Sequence, residues 1–100
     1  MDISKDYKKA VSKVRADLGT NGYPKAMMTG QQMRKCTATV NCGGEWHGKA
    51  FSEELASKVI QHEAFKDFLK SYHAEAHIEK ASYAGREYAQ VRIYYPEEVL

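Results

Sequence analysis

Long apolar runs are missing from this chain. Nothing approaches the roughly 18 to 20 consecutive apolar residues that a membrane-spanning helix needs, and the N-terminal stretch MDISKDYKK carries no apolar core of the kind a secretory signal peptide shows. A cytoplasmic protein is the expectation. Cysteine is scarce as well. The two present, Cys36 and Cys42, do not stand in the short C-x2-C pairs that zinc sites favour, and in a reducing compartment they are expected to be free thiols. Excess charge of either sign is also lacking. Fifteen basic residues against 13 acidic ones leave a net charge of +2, whereas a dedicated nucleic-acid binder usually carries a clear basic excess or cluster. There is no internal repeat and no low-complexity segment. The Gly43-Gly44 pair is not followed by the Lys-Ser/Thr of a phosphate-binding loop.

What is present is ordinary globular composition, 43% hydrophobic and 28% charged over 100 residues. That length fits one domain, residues 1–100, and the composition argues against disorder. Residues 3–18 show the clearest pattern. Ile3, Tyr7, Ala10, Val11, Val14 and Leu18 recur at the helical period, and Gly19 stands where a left-handed C-terminal cap belongs. Gly19, Gly22 and Pro24 mark a turn, after which Pro24 is expected to open a short helix running to Met33.

Residues 36–51 read as a β-hairpin. Cys36, Ala38, Val40 and Cys42 alternate with Thr37, Thr39 and Asn41, Asn41 to Gly44 supplies turn chemistry, and Glu45 to Phe51 returns, with Trp46 on the core face and His47 and Lys49 on the other. Ser52 is expected to cap a helical region reaching Tyr72. Its apolar phase shifts midway, from Leu55, Val59 and Ile60 to Phe65, Phe68, Leu69 and Tyr72. A break near Gln61-His62-Glu63 is the simpler reading, with one long helix buried between two surfaces as the alternative.

Residues 74–95 read as a second hairpin turning at Ala84-Gly85-Arg86. In its second strand Ala89, Val91, Ile93 and Tyr95 share one face, and Pro96 ends it because proline cannot donate to a ladder. A loosely held tail, residues 97–100, follows. The expected class is α+β: a mainly antiparallel sheet of two hairpins with helices packed on one face. Trp46, Val91, Ile93, Val14 and Phe68 form its expected core.

Chemistry-bearing residues are thin on the ground. His47, His62, His73 and His77 and the two cysteines do not form a metal-ligand pattern, so no metal and no cofactor is expected. A Cys36–Cys42 disulfide would need a turn that begins early, because an extended strand separates residues six apart by about 20 Å. Cys42 near His47 satisfies the first demand of nucleophilic catalysis but nothing points to a group that orients the base, so no catalytic residue is assigned. Glu75, His77 and Glu79 alternate as a solvated strand face does.

One surface stands out. If Val91 and Ile93 turn inward, Tyr88, Arg92 and Tyr94 must turn outward, and Tyr and Arg are enriched at binding hot spots. With His47 and Lys49 they make the expected partner-binding set. The functional expectation is a non-enzymatic domain that binds another protein as an inhibitor or adaptor, of the sort phages and mobile elements encode against bacterial defence systems. The second reading is nucleic-acid binding, with Lys5, Lys8, Lys9, Lys13 and Arg15 on the first helix joined to the Tyr/Arg face. The partner, the source and the oligomeric state leave no mark on the sequence.

Overall fold

The computed structural model describes residues 2–19 and 22–99. Helix α1 spans Ile3–Leu18 as its stripe predicts, with Ile3, Tyr7, Val11 and Val14 buried. Asp2 caps it by accepting from the Lys5 amide at 3.1 Å, and Gly19 ends it in the left-handed region at φ 61°. The turn expected from Gly19 to Pro24 includes Thr20 and Asn21, which lie outside the described residues.

The helix expected from Pro24 to Met33 is not what forms. Lys25–Met27 is strand β1, and only Gly30–Arg34 is helical, as α2, capped by Thr29 whose hydroxyl accepts from the Gln32 amide. Tertiary pairing decides the matter. Lys25, Ala26 and Met27 find ladder partners in Asn41, Val40 and Thr39 of β2, which spans Thr37–Asn41. Three residues with a ready strand beside them satisfy their backbone groups better in the sheet than in the first turn of a helix, whose amides are unpaired.

The hairpin expected over residues 36–51 is also corrected. Its first strand exists as β2, but the return does not. Gly44–His47 is a single helical turn, α3, and Lys49–Gln61 is helix α4. Glycines at φ 78° (Gly43) and φ 96° (Gly48) bracket α3, so they punctuate a helical turn where a hairpin turn over Asn41 to Gly44 and a returning strand were expected. Gly44 itself is forced by contact. A Cβ there would sit 2.2 Å from Tyr88 Cβ and 2.7 Å from Ser52 Oγ. Trp46, expected in the core, is 75% exposed.

Ser52 is not the N-cap of α4, which begins three residues earlier. It is buried in the first turn, where its hydroxyl donates to the Lys49 carbonyl at 2.8 Å and accepts from the Ala89 amide at 3.0 Å. The break near His62 is present. α4 ends at Gln61, α5 spans Glu63–Ser71, and His62 Nδ1 caps α5 by accepting from the Ala64 amide. The phase shift now has its cause: α4 lies on the sheet through Leu55, Ala56 and Val59, whereas α5 lies on α1 through Phe65 and Phe68.

The second hairpin forms as expected, β3 spanning Glu75–Tyr83 and β4 Arg86–Tyr94. Its tight turn puts Ala84 at φ 52° and Gly85 at φ 78°, the handedness that matches strand twist. Beyond Pro96, Glu97–Val99 makes a short 3-10 turn, and Val99 packs on the core.

The sheet is antiparallel throughout, in the order β1-β2-β4-β3. Ala38, Val40, Val91 and Ile93 are fully buried on its inner face, together with Tyr7, Val11, Val14, Leu55, Val59, Phe65 and Phe68. The expectation that all helices share that face fails for α2. Gln32 Nε2 donates to Thr39 Oγ1 at 3.0 Å, and Thr37 Oγ1 donates to the Gln32 carbonyl. Those threonines alternate with Ala38 and Val40 and so belong to the outer face, where buried hydroxyls need partners and α2 supplies them. Among the described residues no helix is long and apolar enough to cross a membrane.

Candidate interaction surface

The strand register builds the outer face residue by residue. Thr39 is opposite Met27 on one side and Arg92 on the other, and Arg92 is opposite His77, so one rung crosses all four strands as Met27, Thr39, Arg92 and His77. The next rung carries Thr37, Tyr94 and Glu75. Along the hairpin the same face continues through Glu79 with Gln90 and Ala81 with Tyr88, and ends at Tyr83 with Arg86. α2 covers its β2 portion, while Tyr94 (40%) and Tyr83 (66%) are exposed over the hairpin.

Arg92 sits near the centre of this face with spare bonding capacity. Among the described residues its Nε is buried without an acceptor, and the Oε1 of Gln32, whose amide reaches the same rung, is buried without a donor. Each is a polar group removed from water without a replacement bond, which ordinarily costs about 1–3 kcal/mol. The neighbouring acids are engaged elsewhere. Glu79 accepts from the Tyr94 hydroxyl, and Glu75 lies 3.4 Å from His77 Nε2. That hydrogen bond to Glu79, with burial and the Glu79 charge, raises the Tyr94 hydroxyl above its usual pKa. The His77 and Tyr94 rings lie 5.8 Å apart.

Of the residues expected to meet a partner, Arg92 and Tyr94 therefore lie together on an open face. Tyr88 shares that face but is half-buried against α3, and burial together with the Glu45 carboxylate raises its hydroxyl pKa. His47 and Lys49 are not on the sheet at all, because the strand that was to carry them is helical. His47 meets Tyr23 edge-on and Phe51 in a tilted contact, with ring centroids at 5.4 and 4.6 Å, and Lys49 faces Glu53 at 3.9 Å.

Sequence reasoning missed Trp46, Tyr83, Arg86 and Gln32. Tyr83 and Arg86 were legible by parity, since extending the His77 and Arg92 alternation to the turn places both outward. Trp46 was obscured by the strand assignment, although a short segment bracketed by Gly43-Gly44 and Gly48 can equally hold one helical turn. Glu45, Trp46, Tyr83, Ala84 and Arg86 line an open cleft of about 470 Å³ at the hairpin tip.

The basic face of α1 is diluted in space as well as in sequence. Lys13 pairs with Asp17 at 3.4 Å, and Arg15 spends its guanidinium on the Pro24 carbonyl and the Ser12 hydroxyl. Lys5, Lys8 and Lys9 are exposed, and the groove between α1 and α5 beside Lys9 also holds Asp6 and Asp67. Burial pushes the Cys42 thiol up to about 12, so it is not the thiolate that a nucleophile or metal ligand requires. Both cysteines are free, and among the described residues no three of His, Cys, Asp and Glu are placed to hold a metal ion.

Comparison with known proteins returns no match of this chain to a family model, a curated protein or a solved structure.

Proposed function

We propose that this chain is a binding domain that docks another protein on the outer face of its sheet and acts as an inhibitor or adaptor by occupying that partner's surface. The observation that carries the reading is Arg92. The half-buried Arg92 guanidinium makes no hydrogen bond or ion pair among the described residues, and with exposed Tyr94 and His77 beside it its outward N–H groups are free to meet a partner's acceptor. Unpaired polar groups of this kind concentrate at functional sites. Side chains held on a sheet also lose little freedom on docking. An inhibitor of a host defence enzyme is one role that such a face would serve.

Nucleic-acid binding draws less support, because the α1 cations are interleaved with Asp6, Asp17 and Asp67 and do not converge on the Arg92 face. The test is capture from nuclease-treated lysate of the source cells, by wild type and by Arg92→Ala and Tyr94→Ala variants that melt like wild type. A protein retained by wild type and lost by the variants supports the reading. Retention by all three removes the face as the site. Material that disappears with nuclease treatment, and whose affinity falls steeply with salt, supports the nucleic-acid reading.

A further inference from the structure

We propose that the cleft formed by Trp46, Tyr83 and Arg86 receives a protein segment in which an aromatic or branched apolar side chain stands next to a carboxylate. This deepens the protein-binding reading and rests on it, since the cleft closes the hairpin end of the same outer face.

Two segments that are far apart in sequence, α3 and the tip of the β3–β4 hairpin, make the cleft. Trp46 comes from α3 and is 75% exposed, and Tyr83, at the end of β3, is 66% exposed. Neither ring stacks on another ring, and neither the indole N–H nor the Tyr83 hydroxyl has a hydrogen-bond partner among the described residues. Large aromatic surface left in water on both walls of a concavity is unusual for a chain of this size, and Trp, Tyr and Arg are the three types enriched at hot spots.

The backbone beneath both walls is held in place. α3 is pinned because Gly44 lies against Tyr88 and Ser52 with no room for a Cβ, and because His47, beside Trp46, is held by the Tyr23 and Phe51 rings. The opposite wall is the last rung of the β3–β4 ladder, Tyr83 with Arg86. With that backbone held, only the two χ angles of each ring remain to be ordered on binding.

Charge chooses the occupant. The Glu45 carboxylate already accepts from Asn41 Nδ2 at 3.1 Å, whereas Arg86 has no carboxylate within ion-pair distance among the described residues. The free cation is the guanidinium, and the indole N–H beside it is a second donor, while the Tyr83 hydroxyl can donate or accept, so a ligand acceptor is the group the cleft engages most fully, and a carboxylate meets a guanidinium best. A polyphosphate backbone fits less well. The lining offers one cation and one anion, Arg86 and Glu45, where a nucleic-acid strand needs several cations along its path.

Trp46 is the sole tryptophan of the chain, so its emission reports this cleft alone. Short random peptides displayed on phage are selected against the intact chain, and the enriched sequences are synthesised and titrated while Trp46 emission is followed. The expected sequences pair an aromatic or branched apolar residue with Asp or Glu and shift the emission saturably. Tyr83→Ala and Arg86→Glu, with unchanged melting, should weaken binding about tenfold or more, and replacing the peptide acid with Lys should restore binding to Arg86→Glu. The proposal is overturned if no peptide enriches over an unrelated control protein, if enriched peptides lack an acid or leave Trp46 emission unchanged, or if a single-stranded oligonucleotide displaces them. Peptides sensitive to Tyr94→Ala but indifferent to Tyr83→Ala would overturn the cleft and leave the outer-face reading standing. The converse pattern would keep the cleft and remove Arg92 and Tyr94 from the interface.

Discussion

The two faces of β4 are made by alternate residues of one strand, yet they are held by different physics. Ala89, Val91 and Ile93 are buried, with α4 packed on the strand and Val91 and Ile93 in the core cluster, where close packing governs. Arg92 and Tyr94, one residue away on either side of Ile93, lie on the face that α2 covers only over β2. Their polar atoms are partly paired along the hairpin and partly unpaired. The inner face is what makes the chain fold. The outer face is the one whose composition folding leaves free, so its aromatic and charged residues are where a binding role has room to act.

The sharpest way to break the comparison is to cut into the inner face. Ile93→Ala removes a fully buried side chain and leaves a cavity, and the expected loss is about 2–5 kcal/mol in a denaturant titration. A loss as small as that of a surface substitution would mean that the two faces are exchanged.

Ser52→Ala tests the seam where the sheet meets the helices. β2 pairs with β4 only as far as Val91, and past that point the Ala89 amide turns to Ser52 Oγ in place of a strand. Removing the hydroxyl leaves a buried donor without an acceptor, an expected cost of about 1–3 kcal/mol by thermal melting. Ser52→Thr, which keeps the oxygen, should cost less unless its methyl meets the Gly44 backbone.

These two sites also mark where the sequence was legible and where it was not. α1, the break at His62 and the β3–β4 hairpin follow from local signals: a 3.6-residue stripe, a reversal of apolar phase, and alternation around Ala84-Gly85. The misread segment, residues 24–52, depends on contacts with residues far along the chain. β1 is a strand because β2 lies beside it. α3 turns where it does because Gly44 must pass Tyr88. Ser52 looked like a cap and is instead the acceptor for an amide 37 residues later. On the outer face, parity alone found Arg92 and Tyr94, but it attached His47 and Lys49 to them through a strand that does not exist, and it buried Trp46 with the same error.

The outer face is sharpened by Arg92→Met. Methionine keeps the unbranched stem but removes the unpartnered Nε, so the fold is expected to lose less than about 1 kcal/mol and to gain if the orphaned donor dominates. In the capture experiment the same variant should release the partner. A loss of several kcal/mol would show that the guanidinium serves the fold, and the contrast between the faces of β4 would collapse at its central residue.

The smallest expected effect lies away from the sheet, where α1 meets the α4–α5 junction. His62 Nε2 is 2.8 Å from Asp17 Oδ2, and this hydrogen bond, with help from Lys13, holds the Asp17 carboxyl below its ordinary value of 3.8. A carboxyl whose pKa is depressed on folding binds a proton more readily in the unfolded chain. Stability therefore rises with pH across the interval between the two values. The contribution is present in full above the ordinary Asp range and is lost as pH falls through the lowered folded value. Asp17→Asn should melt slightly below wild type at neutral pH, and the gap should close on acidification past about 3.8. Salt should narrow it too, because Asp17 is exposed and its pairs are screened. His62→Ala should cost more than Asp17→Asn at neutral pH, since it also removes the Nδ1 cap of α5, a loss of about 1 kcal/mol. Equal effects of the two substitutions would assign the junction to the His62–Asp17 hydrogen bond alone and take the cap out of the account.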